Sequence, residues 1–198
     1  MHEPLINLPL AAPVYAGATL VGHVEHVIVD PSHGRATWLV VREKALPNTL
    51  RLVAEKFVTT RNEDGVHLSC DAAKVAGMRE YVITDYYPPS FFLHLAADEK
   101  CKLPLAPSSW TVERPATPQG SVALTGHEAV WATDGKVGKL DGVHVEAHTG
   151  RVVELLLRQG HLWGAREVAI PAGLVAAYED GLVRLTVDTA AVGALPSV

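Results

Sequence analysis

The chain has 198 residues, 48% of them hydrophobic and 20% charged, with a formal net charge of −5; this balance is typical of a folded protein and excludes extensive disorder. Its 17 basic and 22 acidic residues are interspersed, so the basic stripe of a nucleic-acid-binding protein is not expected. The apolar runs fall far short of the roughly 20 residues of a membrane-spanning helix, and the opening residues lack a secretory signal, so we expect a cytoplasmic protein without a transmembrane segment.

An internal repeat organises the sequence. Residues 21–42 align with residues 137–158 after a shift of 116 positions, with eight identities over 22 positions, where unrelated segments would share about one or two. The match resumes one residue out of step, where 68–71 parallels 185–188. Such self-similarity predicts that one structural unit occurs twice in tandem.

Each copy begins with two predicted strands. The first is rich in valine, and a tight turn follows at Gly34 or Gly150, because glycine adopts positive φ without a steric cost. In the second strand every other residue is expected to face the core, namely Thr37, Leu39 and Val41, with Val153, Leu155 and Leu157 in the other copy. The opposite face, which carries Trp38, Val40 and Arg42, is expected to be the solvent side of the sheet.

The later part of each copy predicts a hairpin, at Gly65 and at Gly181, because Asp-Gly pairs are strong turn signals. An extra Asp134-Gly135 pair in the second copy replaces Ala18-Thr19 of the first, so this turn is expected to differ. Helical periodicity is absent, and only 54–58 and its counterpart 171–175 are expected to form a single helical turn.

The repeat predicts two domains, at 10–87 and 123–198, joined by a proline-rich segment at 88–122. This segment also carries Phe91, Phe92 and Trp110, which a flexible linker would not need. We expect these aromatic side chains to pack the connection onto one or both domains.

The second copy resembles the PRC-barrel family at 134–145, where glycines alternate with aliphatic residues, and at 149–158 and 168–172. The first copy resembles a more divergent member. The resemblance implies an all-β chain of two small antiparallel β-barrels related by a pseudo-twofold axis. It also implies docking to other macromolecules, as the barrels of the photosynthetic reaction-centre H subunit and of RimM-type ribosome maturation proteins do, and it transfers no catalytic residue.

The residues that could carry chemistry favour no enzyme. No GxSxG elbow, P-loop or Rossmann glycine pattern is present, and no cofactor is expected. Cys70 and Cys101 lack CxxC partners. His144, Glu146 and His148 could converge beside a turn as metal ligands, although surface histidines that flank a hairpin are commoner than such sites.

Binding surfaces have better support from the sequence. Trp38 stands where the other copy has Glu154, and Trp163 lies in a loop bounded by glycines; an exposed tryptophan is a frequent hot spot. Together with Phe91, Phe92 and Trp110 they form the candidate partner-binding surface. The interpretation is a non-catalytic protein-interaction or assembly module with an unknown protein partner, with a homo-oligomer left open.

Two alternatives remain open. One is a small-molecule or metal-responsive protein that uses a cleft between the barrels. The other is a ribosome- or RNA-associated factor, which would require a basic face that the charge distribution does not suggest.

Overall fold

A computed structural model describes residues 5–9, 11–62, 64–87, 110–146, 149–159, 166–179 and 181–197, of which the side chains of 5–9, 86, 87 and 110 are not described. The predicted all-β class is confirmed, since strands dominate the described ranges. None of the helices in these ranges has the length and apolar character needed to cross a membrane.

The first half of the molecule, defined as β2–β7 with α1, follows a separate strand β1. The strands are β1 Leu5–Pro9, β2 Pro13–Ala16, β3 Thr19–Asp30, β4 Arg35–Glu43, β5 Leu50–Ala54, β6 Val58–Asn62 and β7 Gly65–Leu68. A 3₁₀ turn at Glu55–Phe57 joins β5 to β6, and the short helix α1 spans Ala72–Ala76. A hairpin of β8 Val82–Tyr87 and β9 Trp110–Pro115 and then β10 Val122–Leu124 lead to the second half.

The second half, β11–β16 with α2, repeats the first element by element. Its strands are β11 Ala129–Trp131, β12 Lys136–Glu146, β13 Val152–Gln159, β14 Arg166–Pro171, β15 Val175–Glu179 and β16 Leu182–Leu185. A 3₁₀ turn at Ala172–Leu174 precedes β15, and α2 spans Thr189–Gly193. Both 3₁₀ turns lie where the sequence predicts single helical turns.

The two halves have the same sheet topology. The strand order is β5-β4-β3-β2-β7-β6 in one and β14-β13-β12-β11-β16-β15 in the other. Neighbouring strands are antiparallel except for the parallel pairs β2/β7 and β11/β16, which corrects the expectation of wholly antiparallel sheets. Each hydrogen-bonded path stays open between its end strands, which are joined by the 3₁₀ turn, so closed barrels are not seen in the described residues.

The short helices α1 and α2 are absent from the sequence-based expectations. Each begins after an aspartate whose carboxylate accepts a hydrogen bond from the backbone N–H three residues later, Asp71 from Lys74 at 2.7 Å and Asp188 from Ala191 at 2.8 Å. This is ordinary N-capping. Both aspartates match in the sequence repeat, but five residues are too few for helical periodicity to show.

The inward pattern of the second strand is shifted by one residue at its start. Ala36 and Val152 are buried in the main core in place of Thr37 and Val153. The predicted core positions further along the strand are confirmed: Leu39, Val41, Leu155 and Leu157 are buried there. The reason is a bulge that skips Thr37, because Ile28 pairs with Trp38 but Val29 pairs with Ala36. The same irregularity skips Val153 in the second half, and a bulge changes the face that a residue occupies.

The outer face of the first sheet is not the solvent side, which corrects a second expectation. Its apolar residues form a separate small core around Ile28, Val40 and Leu52, covered by Tyr81 and Ala116 from the base of the β8–β9 hairpin. Ala116, near the end of the predicted connection, therefore packs on the first sheet together with Tyr81 of the first predicted domain. Phe91 and Phe92 lie outside the described residues.

The glycines shared at Gly22 and Gly138 permit a close crossing of strands. A Cβ at Gly22 would lie 2.1 Å from the carbonyl oxygen of Arg42, and one at Gly138 would lie 2.5 Å from that of Arg158. No side chain fits at such distances. The repeat therefore preserves glycine at this point because the backbone of the neighbouring strand occupies the space.

The halves exchange strands with each other. β1 pairs with β12, with Leu8 opposite Val143, and β10 pairs with β3, with Leu124 opposite Val27. The two pairings are equivalent in the repeat, because the shift of 116 positions relates Leu8 to Leu124 and Val27 to Val143. A single hydrophobic core runs through both halves. The boundaries at 10–87, 88–122 and 123–198 stay predictions, and the strand pairing crosses them.

The turns at Gly34 and Gly150 contact each other where the two halves meet. The N–H of Ala36 donates to the carbonyl of Gly150, and the N–H of Val152 donates to that of Gly34, both at 2.9 Å. Arg35 and Arg151, equivalent in the repeat, face each other between them. The contact between the halves is therefore built from the same turn used twice.

Candidate functional site

The five residues of the predicted partner-binding surface are not brought together by the described structure. Trp38 lies in β4, half-buried against the small outer core. Trp110 begins β9, and its side chain is not described. Phe91, Phe92 and Trp163 lie outside the described residues, so their part in binding stays a prediction.

The histidine and glutamate considered as metal ligands have other partners. Nδ1 of His144 lies 2.8 Å from a carboxylate oxygen of Glu154 on the neighbouring strand, and Glu146 accepts a hydrogen bond from the hydroxyl of Thr149 at 2.5 Å. His148 lies outside the described residues. Within the described ranges no three His, Cys, Asp or Glu side chains gather as a metal site would require.

Trp131 is the remaining tryptophan of the chain, and the sequence does not single it out as a binding residue. It ends β11 with 43% of its surface exposed and borders a recess of about 440 Å³ with Asp134 and Arg184. Arg184 is its register partner on the parallel strand β16, and the guanidinium Nε donates to Glu179 at 2.9 Å. An indole beside a guanidinium is thus presented at the surface.

The equivalent position of the first half shows what is unusual about Trp131. There Tyr15 stands opposite His67 in the same parallel register. The two rings stack, with centroids 5.2 Å apart and planes 15° from parallel. The aromatic ring of the first half is covered by its neighbour, whereas Trp131 faces an arginine that already binds a carboxylate.

A second candidate site is the inter-half cleft, a depression of about 590 Å³ lined by both polar and apolar groups. His26 and Tyr81 contribute from the first half and its flank, and Glu128 and Gly181 from the second. The turn at 115–121 crosses between them. This cleft therefore exists only in the assembled molecule, as the alternative of a ligand between the two units requires.

His26 is the unsatisfied group of this cleft. Its ring lies 5.7 Å from that of Tyr81, and Nδ1 is the one buried side-chain N or O atom without a hydrogen-bond partner in the described part of the chain. The backbone of Glu25 approaches the imidazole without hydrogen-bonding geometry to Nδ1. Burial lowers the pKa of His26, and the carboxylates of Glu25 and Glu128 oppose that change; the neutral ring is favoured at neutral pH.

Glu128 and the hydroxyl groups complete the cleft. Glu128 is only 1% exposed, and its carboxylate accepts hydrogen bonds from the backbone N–H and hydroxyl of Thr125 and the N–H of Gly126, at 2.6, 2.8 and 3.0 Å. The hydroxyls of Tyr81 and Thr117 are 2.9 Å apart. The two hydroxyls and the imidazole of His26 can hold a small polar ligand by hydrogen bonds, whereas the Glu128 carboxylate is used by the turn.

Sequence reasoning could have found part of this. His26 gives no signal in the sequence, because its environment depends on the β8–β9 hairpin, which no local pattern places. Glu128 offers a signal, because a glutamate two or three residues after Thr-Gly can satisfy a turn. Trp131 offers none, since exposure of one aromatic residue depends on what covers it.

No protein-family model matches the chain, and no curated protein is similar to it at a significant level.

Proposed function

We propose that this protein is a non-catalytic binding protein, built from two PRC-barrel-type units, that docks another protein through Trp131 and Arg184. The curling of each sheet into a barrel is part of this proposal. The two end strands of each sheet follow one another in the chain and share a 3₁₀ turn, which supports a strongly curled unit.

The arrangement of the charged groups supports a binding role over catalysis. Arg61, only 3% exposed, donates to Glu55 at 2.5 Å, Glu128 holds a turn, and His144 pairs with Glu154. Each of these buried or half-buried groups is used to hold the backbone or a neighbouring strand. Their geometry is that of structural pairs.

The single observation that carries the proposal is the exposed indole of Trp131 beside Arg184. Tryptophan and arginine are the residues most enriched at the energetic centres of protein interfaces, because each offers a large flat surface with polar atoms at its rim. The recess next to Trp131 gives a partner side chain a place to bind. The covered Tyr15 of the first half offers no such surface.

The test is affinity capture from an extract of the protein's own cells with matched variants. Trp131→Ala and Arg184→Ala are expected to lose a partner that the wild type retains reproducibly, by tenfold or more in affinity once that partner is purified. Tyr15→Ala, at the equivalent position of the first half, is the control and should retain it. Equal capture by all three variants contradicts a role for Trp131.

The second candidate function is the binding of a small polar ligand in the inter-half cleft. It is favoured by one specific observation, the buried Nδ1 of His26 without a partner, since buried polar atoms in folded proteins are normally satisfied. A ligand that reorients the imidazole would relieve this.

A thermal-shift screen of metabolites and metal ions tests the second candidate. A true ligand at about 100 times its Kd adds about 2.7 kcal/mol to the free energy of unfolding. His26→Phe keeps the ring contact with Tyr81 but should abolish the shift, whereas His23→Phe, an exposed position on the same strand, should preserve it. A shift that survives His26→Phe places the ligand elsewhere.

A further inference from the structure

The reciprocal strand exchange contains one weak connection. β10 is joined to β11 through Thr125, Gly126 and Glu128, where the glycine adopts φ 80° without strain and the Glu128 carboxylate holds the turn with three hydrogen bonds. The corresponding connection from β1 to β2 has Ala12 at the position of Glu128. This connection therefore lacks the carboxylate that holds its counterpart.

Ala11 adds strain to the same connection. Its φ is 86°, in the left-handed region where the Cβ of an L-residue meets the neighbouring carbonyl oxygen. The residue is exposed and its N–H donates to the carbonyl of Val24 at 2.8 Å. It is therefore held on the first half, at the point where the chain crosses from β1 on the second half. An extended backbone at Ala11 would remove this cost.

We infer that β1 exchanges between two copies of this chain, so that β1 of each copy pairs with β12 of the other. The acceptor edge, residues 142–146 of β12, has the same structure in every copy, so the strand pairing is equally good within and between chains. Strained hinges favour such exchange. This inference is independent of both proposed functions.

The position of the equilibrium follows from effective concentration. Within one chain, β1 is held near its acceptor at an effective concentration in the millimolar range, so the closed monomer dominates at micromolar concentration. Exchange between copies should appear as a dimer after partial unfolding and refolding at about 1 mM, because both hinges then relax.

Two substitutions at Ala11 move the equilibrium in opposite directions. Ala11→Gly relieves the strain in the monomer and should lower the dimer-to-monomer equilibrium constant about thirtyfold, because each dimer relaxes two hinges. Ala11→Val, whose branched Cβ disfavours positive φ, should raise it by a similar factor. Light scattering coupled to size-exclusion chromatography measures the dimer fraction. No dimer at about 1 mM, or equal dimer fractions in the variants that fold, overturns the inference.

A cross-link identifies the exchanging strand. Asn7 and His144 are register partners, so Asn7→Cys with His144→Cys, in a chain with Cys70→Ser and Cys101→Ser, should form a disulfide within the monomer and between chains in the dimer. A dimer that separates into monomers on a non-reducing denaturing gel has formed through another surface and contradicts the inference.

If Ala11→Val does not fold, the dimer fractions of Ala11→Gly and the wild type are compared to test the effect of the hinge.

Discussion

Gly34 and Gly150 are equivalent in the repeat but have different surroundings. Gly34 and Gly150 both have positive φ, 58° and 65°, so both turns favour glycine. A Cβ at Gly34 would meet nothing within 4 Å, whereas one at Gly150 would lie 2.9 Å from the Glu55 carboxylate and 3.2 Å from the carbonyl oxygen of Ala36. Gly150 therefore also permits the contact between the halves.

Gly34→Ala is expected to lower the free energy of unfolding by about 1 kcal/mol, the cost of an alanine at positive φ. Gly150→Ala should cost at least about 1 kcal/mol more, because Glu55 is held by Arg61 and cannot move away freely. Urea denaturation of the two variants measures the difference. Equal costs would show that the Glu55 side chain yields to the new methyl group.

The halves differ at the pair formed by Glu55 and Arg61. The equivalent positions of the second half are Ala172 and Tyr178, which pack at the edge of the main core. Burial raises the pKa of Tyr178 to about 12. An ion pair between a buried arginine and a half-buried glutamate in one copy is thus replaced by a half-buried phenol in the other.

The raised pKa of Tyr178 predicts a loss of stability in alkali. The unfolded chain releases the phenolic proton near pH 10, whereas the folded protein retains it to about pH 12. The folded state then binds more protons, so the free energy of unfolding falls as pH rises between these values, by up to about 3 kcal/mol. Tyr178→Phe keeps the packing and should remove this pH-dependent loss of stability. Denaturation curves of both proteins from pH 8 to 11.5 measure the difference. Parallel pH profiles of the two proteins would contradict the prediction.

At the scale of elements, the two short helices are held by unequal sets of hydrogen bonds. Asp71 alone caps α1 by its side chain. In the second half Asp188 caps α2, and Asp134 also accepts hydrogen bonds from the N–H and hydroxyl of Thr189, both at 2.8 Å. The extra Asp-Gly turn of the second copy thereby fastens the start of α2.

Removal of the two caps should therefore have unequal effects. Asp71→Ala is expected to lower the free energy of unfolding by about 1 kcal/mol, the usual value for an N-cap. Asp188→Ala should lower the free energy of unfolding by less, because Asp134 still binds the first turn of α2. Adding Asp134→Ala to Asp188→Ala should lower it further, since both contacts with the first turn are then lost. Thermal denaturation of the four proteins measures the order. A larger loss for Asp188→Ala than for Asp71→Ala would contradict the bracing role of Asp134.

At the scale of the whole molecule, the strand exchange couples two similar units into one. β1 completes the second sheet, β10 completes the first, and the core is continuous. Neither half can lose its structure without removing a strand from the other. Although tandem repeats often unfold stepwise, this chain should unfold in a single transition.

Equivalent core substitutions test the coupling. Val14→Ala and Val130→Ala remove the same buried side chain from each half, and each should lower the free energy of unfolding by about 2 kcal/mol while one transition is preserved. Calorimetry measures it through the agreement of calorimetric and van't Hoff enthalpies. Two separated transitions in either variant would show that the halves unfold independently.

The elements that follow from local chemistry could be predicted from residues alone. The turns at Gly34 and Gly150, the hairpins at Gly65 and Gly181 and the repeat relating them follow from backbone preferences that neighbours in the chain enforce. The candidate site is different: the sequence predicts Trp38 on an outer face, but a hairpin some 40 residues further along the chain helps to cover it.

The chain's own residues thus specify an all-β unit and its duplication, because turn geometry and strand alternation are encoded over a few residues. Contacts between segments more than 50 residues apart decide which half receives β1 and β10, and why Trp131 is exposed while Tyr15 is covered. A bulge in the register decides why Thr37 and Val153 leave the core face. Such contacts are chosen by the packing of the complete molecule, since many distant pairings satisfy the same local pattern equally well.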